Sequence, residues 1–322
     1  MSIEITKECP LRCPGCYAYE DAHLGGEVTL RQLSDYKDEQ LVKAVLAVVD
    51  HHKPLHLSIV GGDPLVRFRE LDALLPQLND RGIFVQVVTS AFRQIPVAWA
   101  SLSRLNMVVS IDGLEAEHNE RRKPATYERI LKNIVGHKVV VHTTITGQTM
   151  RRDGYWDEFL QFWTPREEVK KVWISLFTPQ RGAAEAPEFL TIAERDRAIA
   201  DLYRLREKFP KLDMAKALIK ELARPPQSPD ECVFAKTTLT LSADLRTRVM
   251  PCQLGGDPDC TRCGCVASMG LAAVGNHVLV PGLTAGMIFN WSAKVGETIA
   301  KLRAAKPAVP SCEQEPEAPS AV

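Results

Sequence analysis

Cys9-Pro10-Leu11-Arg12-Cys13-Pro14-Gly15-Cys16 is the stretch from which the rest of the chain is read. Its three cysteines, spaced C-x3-C-x2-C, can all turn their sulfurs into one tight loop. Three thiolates from such a loop suit an iron–sulfur cluster, which is held by cysteine sulfur. A [4Fe–4S] cube wants four ligands, so a loop of three leaves one iron free for a group that is not protein. A closed zinc site is the alternative, and it needs a fourth Cys or His at suitable spacing. The nearest histidine, His23, lies seven residues beyond Cys16. Spacing alone leaves iron and zinc both open.

Composition narrows the field. A chain of 322 residues, 45% of them hydrophobic, can bury a substantial core as one large domain or two smaller ones. Its 40 basic and 40 acidic residues cancel, so no global field recruits nucleic acid or an anionic membrane. No uninterrupted apolar run approaches the roughly 20 residues that cross a bilayer, and the charged run over 4–12 occupies the place of a secretory h-region. The expectation is a cytoplasmic protein in a reducing compartment, where clustered thiols bind metal or do redox chemistry more often than they form disulfides. The nine cysteines are bunched: three at the N-terminus, five between Cys232 and Cys265, and Cys312 alone in the tail.

Read in order, alternation and β-branched runs predict strands over 2–6, 55–60, 83–89, 107–111, 139–146 and 172–177. Helical spacing predicts helices over 38–52, 69–81, 126–135 and 155–163, with Gly82 a stop signal. Strands followed by helices at such intervals argue for a parallel sheet with helices outside. In such folds the loops at the C-terminal ends of the strands hold the ligand. The polar tips fall at those ends: the cysteine loop, Gly61-Gly62-Asp63-Pro64, Thr89-Ser90, Asp112 and Thr144 to Thr146. Beyond residue 182 the period changes. Thr191 and Glu194 make a capping box that opens a helix, a second helix is expected over 212–223, and a short strand over 237–241. A helix is expected over 293–302, and 304–322, rich in Pro, Glu and Ala, reads as disordered. The expected division is a barrel over 1–182, a helical connection over 183–228, a small cysteine-rich domain over 229–275, a helical segment over 276–303, and the tail. No internal repeat is present.

With these features placed, the chain resembles the radical S-adenosylmethionine (SAM) superfamily over most of residues 1–275. Cys9, Cys13 and Cys16 match its C-x3-C-x2-C signature, and Gly61, Gly62, Asp63 and Pro64 resemble the Gly-Gly-Glu-Pro loop that binds the SAM amino group. Ser110-Ile111-Asp112-Gly113 resembles the fourth-strand segment of the family. The continuation through His118, Arg121 and Tyr127 to Asn133 is similar to the subgroup with a C-terminal SPASM or twitch auxiliary-cluster domain. Two positions depart from the pattern: Gly15 stands where an aromatic residue often precedes the third cysteine, and Asp63 replaces Glu, a shorter carboxylate that can still accept from an ammonium. The resemblance implies a partial (β/α)6 TIM-like barrel and a [4Fe–4S] cluster whose open iron is chelated by SAM. It implies reductive cleavage of SAM to a 5′-deoxyadenosyl radical, an electron donor of the flavodoxin or ferredoxin type, and a substrate that the sequence does not name. Zinc, which has no redox chemistry, could not drive that cleavage.

Further candidates follow from position. Thr89 and Ser90 are candidates for SAM contacts or simple caps; Ser110 and Asp112 for the SAM site; Arg181, after the sixth strand, for the SAM carboxylate or for solvent. Cys232, Cys252, Cys260, Cys263 and Cys265 are five candidate ligands for one auxiliary [4Fe–4S] cluster, Cys265 competing with the other four, and a zinc knuckle is the bland alternative. The Cys232…Asp244…Pro251-Cys252 arrangement resembles the first half of a twitch or SPASM domain, and the resemblance implies a β-hairpin between two ligands. His142 and Thr144 could face the barrel interior, His142 reading better as a satisfied core histidine, and Tyr17 and Tyr19 could line the pocket or pack. Trp156, Phe159, Phe162 and Trp163 read as core, and Phe289-Asn290-Trp291 as a cover for the substrate opening. Cys312 reads as a free thiol. No cobalamin-binding or peptide-recognition domain is expected before the barrel. Peptide modification is the commonest theme of the subgroup, small-molecule chemistry the second. The rival readings are a zinc-stapled binding module and a two-cluster electron-transfer protein.

Overall fold

A computed structural model describes residues 1–303; Cys312 and the tail over 304–322 lie outside the described residues. Six strands, β1 (Ser2–Glu4), β2 (His56–Val60), β3 (Phe84–Thr89), β4 (Leu105–Ser110), β5 (Val139–Ile145) and β6 (Val169–Leu176), pair in parallel with their sequence neighbours. A seventh, β7 (Thr240–Leu241), comes from the cysteine-rich segment and pairs in parallel with β1, giving the order β6-β5-β4-β3-β2-β1-β7. The fold is α/β, a partial barrel followed by a region of clustered cysteines.

Period-two alternation divides each strand between two environments. Ile3, Leu57, Ile59, Val85, Val87 and Val109 are buried in one core with the apolar faces of α1 (Asp38–His52) and α2 (Phe68–Asp80). The other face turns inward and is polar at its base, where Thr240, Ser2, Ser58, Gln86 and Asn106 stand side by side in register. A layer of valines, Val60, Val88, Val108 and Val140, lies above it, and Ser110 and His142 pair above that. The polar rim sought in the sequence therefore sits at the strands' C-terminal ends.

Between β4 and β5 run α3 (Glu115–Arg121) and α4 (Tyr127–Asn133), and between β5 and β6 α5 (Gly147–Met150) and α6 (Tyr155–Trp163). Trp156, Phe159 and Trp163 are buried as expected, with Phe162 packed against them. α7 (Ile192–Lys208) opens on the expected capping box: Glu194 N–H donates to Thr191 Oγ1 at 3.2 Å and Thr191 N–H to Glu194 Oε2 at 2.8 Å. α8 (Lys216–Leu222) is shorter than predicted because Leu212 bridges to Val172 of β6 instead of starting the helix.

The cysteine-rich segment departs most from expectation. α9 (Val233–Thr237) takes the first residue of the expected strand, of which only Thr240–Leu241 forms, and the hairpin shrinks to a turn around Asp244, where Leu241 bridges Arg248. α10 (Val266–Gly275) forms where no helix was expected. A small hairpin, β8 (Val278–Val280) with β9 (Leu283–Thr284), leads into α11 (Ala285–Arg303), which starts earlier than predicted. α11 packs on α9 and α10, and Trp291 on it is 70% exposed.

Leu74, fully buried between α2 and the sheet, tests this layering. Leu74→Ala should cost roughly 2–5 kcal/mol of stability in chemical denaturation, the range for a buried Leu truncated to Ala.

Candidate active site

The chain leaves β1 through buried Ile5 and Thr6 and enters the cysteine loop. Cys9, Cys13 and Cys16 are partly buried around a cavity of about 510 Å3, which Arg12, Tyr19 and Arg31 also line. Burial pushes all three thiols up, Cys9 to about 12, with Asp63 and the sibling thiols adding to its shift. Three such thiols resist ionising together without a cation, and a coordinated metal deprotonates its thiols outright. Three sulfur donors around a hollow of this size fit a cluster rather than one small ion. His23 is not a fourth ligand. Its Nε2 lies 2.7 Å from Glu4 Oε1 and its Nδ1 3.1 Å from the carbonyl of Leu254, so protein occupies both ring nitrogens. Among the described residues no three His, Cys, Asp or Glu side chains close on a single metal ion.

The loop after β2 lies directly on the cysteine loop. Gly62 N–H donates to Thr6 O at 2.8 Å and Asp63 N–H to Glu8 O at 2.9 Å. A Cβ at Gly62 would stand 2.0 Å from Glu8 O, and Gly61 has φ +133° with Thr6 O 2.7 Å from its would-be Cβ, so both must be glycine. Asp63, 2% exposed, corrects the sequence reading. Its Oδ1 accepts Leu65 N–H and Thr89 Oγ1–H, and its Oδ2 accepts Ser90 N–H and Ser90 Oγ–H. A carboxylate has about four lone-pair sites, so none remains for an ammonium; Asp63 instead ties the ends of β2 and β3 together. The same bonds turn the hydroxyls of Thr89 and Ser90 onto protein, the capping role weighed for them.

Ser110 ends β4 on the inner face beside His142. Asp112 is held by two arginines: Arg121 Nε donates to Oδ2 at 2.9 Å, and Arg122 contacts Oδ1 at 2.9 Å and Oδ2 at 2.7 Å. Burial alone would raise the Asp112 pKa; the guanidiniums, Arg122 foremost, overcome it and hold the carboxyl at about 2. Arg122 is also close enough to Cys13 and Cys16 to favour their thiolates. His118 Nδ1 accepts Asp112 N–H at 3.0 Å, so Nε2 carries the hydrogen and donates to Ala125 O at 2.8 Å. Burial keeps this histidine neutral, its pKa down at about 4. Tyr127 donates its hydroxyl to Gly113 O, and Asn133 Nδ2 donates to Ala91 O at 2.8 Å. The spaced motif from Asp112 to Asn133 thus folds one rim loop. His142 is half-buried on the inner face and satisfied there: its Nε2 is 2.9 Å from Ser175 Oγ, and burial and then Arg122 pull its pKa to about 4.

The radical SAM superfamily profile matches residues 3–162. The chain belongs to the radical SAM superfamily. Among solved structures, native anSMEcpe with bound AdoMet and the Cp18Cys peptide aligns with 79% of this radical SAM chain and 73% of its own, at 12% identity and TM-score 0.57. Native anSMEcpe with bound AdoMet gives 75% and 72% at 14% identity and TM-score 0.53. These are likenesses of fold. Streptococcus suis SuiB bound to precursor peptide SuiA aligns with 64% of this chain at 20% identity and TM-score 0.47, and this chain covers only 44% of SuiB. A search of the curated proteins gave no significant match. No helix among the described residues is long and apolar enough to cross a membrane.

The second group of cysteines in this radical SAM enzyme gathers Cys232, Cys252, Cys260, Cys263 and Cys265 within electrostatic reach of one another. Burial is the main cause that lifts Cys252 to about 12 and raises Cys260 and Cys263. Gln253 Nε2 donates to Cys265 Sγ at 3.1 Å. Arg181 belongs to this group, not to the first loop. It is 49% exposed, its Nε is 4.0 Å from Asp257 Oδ1, its N–H donates to Asp257 O, and it favours the Cys260 thiolate. Tyr19 lines the first cavity, donating to Lys7 O at 2.8 Å under the Arg31 guanidinium.

The sequence reading passed over Arg122 and the Glu4–His23 pair. Arg122 carried only the signal of a doublet with Arg121. Glu4 carried a better one, an acidic residue on the inner face of a buried strand, but its partners lie 19 and 238 residues away.

Three variants probe this geometry. Gly62→Ala should destabilise the apo chain by roughly 1–3 kcal/mol through overpacking, whereas Gly82→Ala, at φ +74° with open space around it, should cost only about 1 kcal/mol. Asp112, held at about 2 against an ordinary 3.8, contributes about 2 kcal/mol at neutral pH. That contribution is present above about pH 4 and is lost as pH falls through 2. Asp112→Asn should therefore show a deficit at pH 7 that narrows toward pH 2 in denaturant titrations.

Proposed function

We propose that Cys9, Cys13 and Cys16 hold a [4Fe–4S] cluster whose fourth iron position is filled by SAM, and that the five later cysteines supply the ligands of one auxiliary [4Fe–4S] cluster in a SPASM- or twitch-like segment. The observation that carries this reading is the three-thiol loop lying against the Gly61-Gly62 backbone at the open end of a parallel partial barrel. When bound, the cluster and SAM supply a strongly reducing electron and the 5′-deoxyadenosyl radical it releases. The chain's own part is to position and exclude. The backbone over 61–64, rather than the Asp63 carboxylate with its four protein donors, would receive the SAM amino group. Arg122, with Arg121, offers the positive charge for a carboxylate beside Cys13 and Cys16, the task expected of Arg181. The valine layer beneath the rim keeps the reacting zone apart from the polar base of the barrel.

The substrate enters at the same rim. A peptide or protein segment is the first substrate class, supported by the peptide held by anSMEcpe in the same fold; a polar metabolite is the second, supported by the hydrophilic rim of Ser110, His142 and Thr144. Arg12 and Arg31, both exposed beside the cysteine loop, suit an acidic flavodoxin- or ferredoxin-type donor.

Anaerobic purification, iron and zinc counting, and incubation with SAM and a strong reductant test the reading. Iron without zinc and formation of 5′-deoxyadenosine, abolished in Cys13→Ala, are the expected results. Zinc in place of iron would favour a stapled binding module, and intact clusters with no SAM cleavage would favour an electron carrier.

A further inference from the structure

Glu4, His23 and Ser242 form a buried polar chain that the chemistry above does not use. Glu4 and His23 are 2% and 1% exposed and Ser242 is fully buried. His23 Nδ1 faces a carbonyl, Leu254 O, so it carries a hydrogen and donates there. A second hydrogen is then shared between His23 Nε2 and Glu4 Oε1 across 2.7 Å, while Ser242 Oγ donates to Glu4 Oε2 at 2.5 Å. The chain joins β1, the turn after the first cysteine loop, the turn after β7, and the stretch that follows Cys252.

The contact with that last stretch is close on both sides. Gly256 N–H donates to His23 O at 3.3 Å. A Cβ at Gly255 would stand 2.2 Å from His23 O and 2.4 Å from His23 Nδ1, so only glycine lets the backbone seat there. Tyr17, directly after Cys16, packs its ring 5.7 Å from that of His23. Its hydroxyl lies within electrostatic reach of Cys16 on one side and of Cys252 and Cys265 on the other. His23 thus stands where the two cysteine groups meet, bonded to neither set of thiols and to the backbone beside one of them.

We propose that His23, fixed by Glu4 and Ser242, is a positioning residue through which the first cysteine loop holds Cys252 and its neighbours in ligating register. This rests on the reading of the second group as an auxiliary cluster. In a buried chain whose hydrogen bonds are all directional, the imidazole sets both the distance and the angle of the backbone over 254–256. The second cysteine group then assembles correctly only on a chain whose first loop is in place.

The test uses the full chain, reconstituted anaerobically, with iron content and the electron paramagnetic resonance spectrum of each reduced cluster as readouts. His23→Ala and, from the opposite side of the contact, Gly255→Ala should each lose about half of the iron and the auxiliary signal, or shift its g-values. The signal that responds to added SAM should stay. His23→Gln, which can keep one of the two side-chain bonds, should fall between. Leu74→Ala, destabilised far from the contact, should keep both signals, separating positioning from loss of stability. Retention of both signals in His23→Ala and Gly255→Ala, or loss of both together in the two variants, would overturn the proposal. A wild-type chain with one cluster only would instead overturn the auxiliary-cluster reading on which it rests.

Discussion

The close approach of two backbones, Gly61-Gly62 on Thr6 to Glu8, is the constraint on which the rim depends. Two hydrogen bonds, Gly62 N–H to Thr6 O and Asp63 N–H to Glu8 O, join the loop after β2 to the loop after β1. A Cβ at Gly62 would stand 2.0 Å from Glu8 O, and one at Gly61 2.7 Å from Thr6 O, so side chains there would force the two backbones apart. The Asp63 carboxylate extends the junction to β3 by taking four donors from Leu65, Thr89 and Ser90. Three strand ends are thereby locked before any cofactor contributes. A locked rim matters for radical chemistry because a reacting centre must be held within a fraction of an ångström of its target.

The electrostatics of the rim follow from the same economy of space. Desolvation penalises thiolates and carboxylates alike, and Asp112 stays ionised because Arg121 and Arg122 surround it. Arg122 serves two charges at once, facing Asp112 and lying within reach of Cys13 and Cys16. A loop of three thiolates carries more negative charge than its surroundings can solvate, and iron would neutralise it. His118 is kept neutral by burial, which outweighs the bond it donates to Ala125 O, and its free Nδ1 accepts Asp112 N–H.

What was legible in the sequence was what depends on neighbours along the chain. The helix over Asp38–His52, the helix over Tyr155–Trp163 and the Thr191–Glu194 capping box are local patterns, and each forms where it was expected. The rim was legible because strand ends in a parallel sheet share one edge. Roles set by distant partners were not. Asp63 read as a ligand for an ammonium because Thr89 and Ser90, its actual donors, lie 26 and 27 residues on. Arg181 read as a rim residue because the strand before it ends there, yet its chain turns toward Asp257. α10 was missed because cysteine and glycine content masked the run Ser268-Met269-Gly270-Leu271-Ala272-Ala273, whose Met, Leu and Ala are good helix formers. His23 was weighed only as a zinc ligand, since nothing nearby in the chain announces Glu4 and Leu254 as its partners.

The central claim is that the three-cysteine loop leaves one iron for SAM. Electron–nuclear double resonance on the reduced N-terminal cluster, with SAM labelled at its amino nitrogen or carboxylate oxygen, tests it most directly. The account predicts hyperfine coupling from both labels, lost when Cys9, Cys13 or Cys16 is replaced. A cluster that forms on these cysteines and shows no coupling to either label would contradict it.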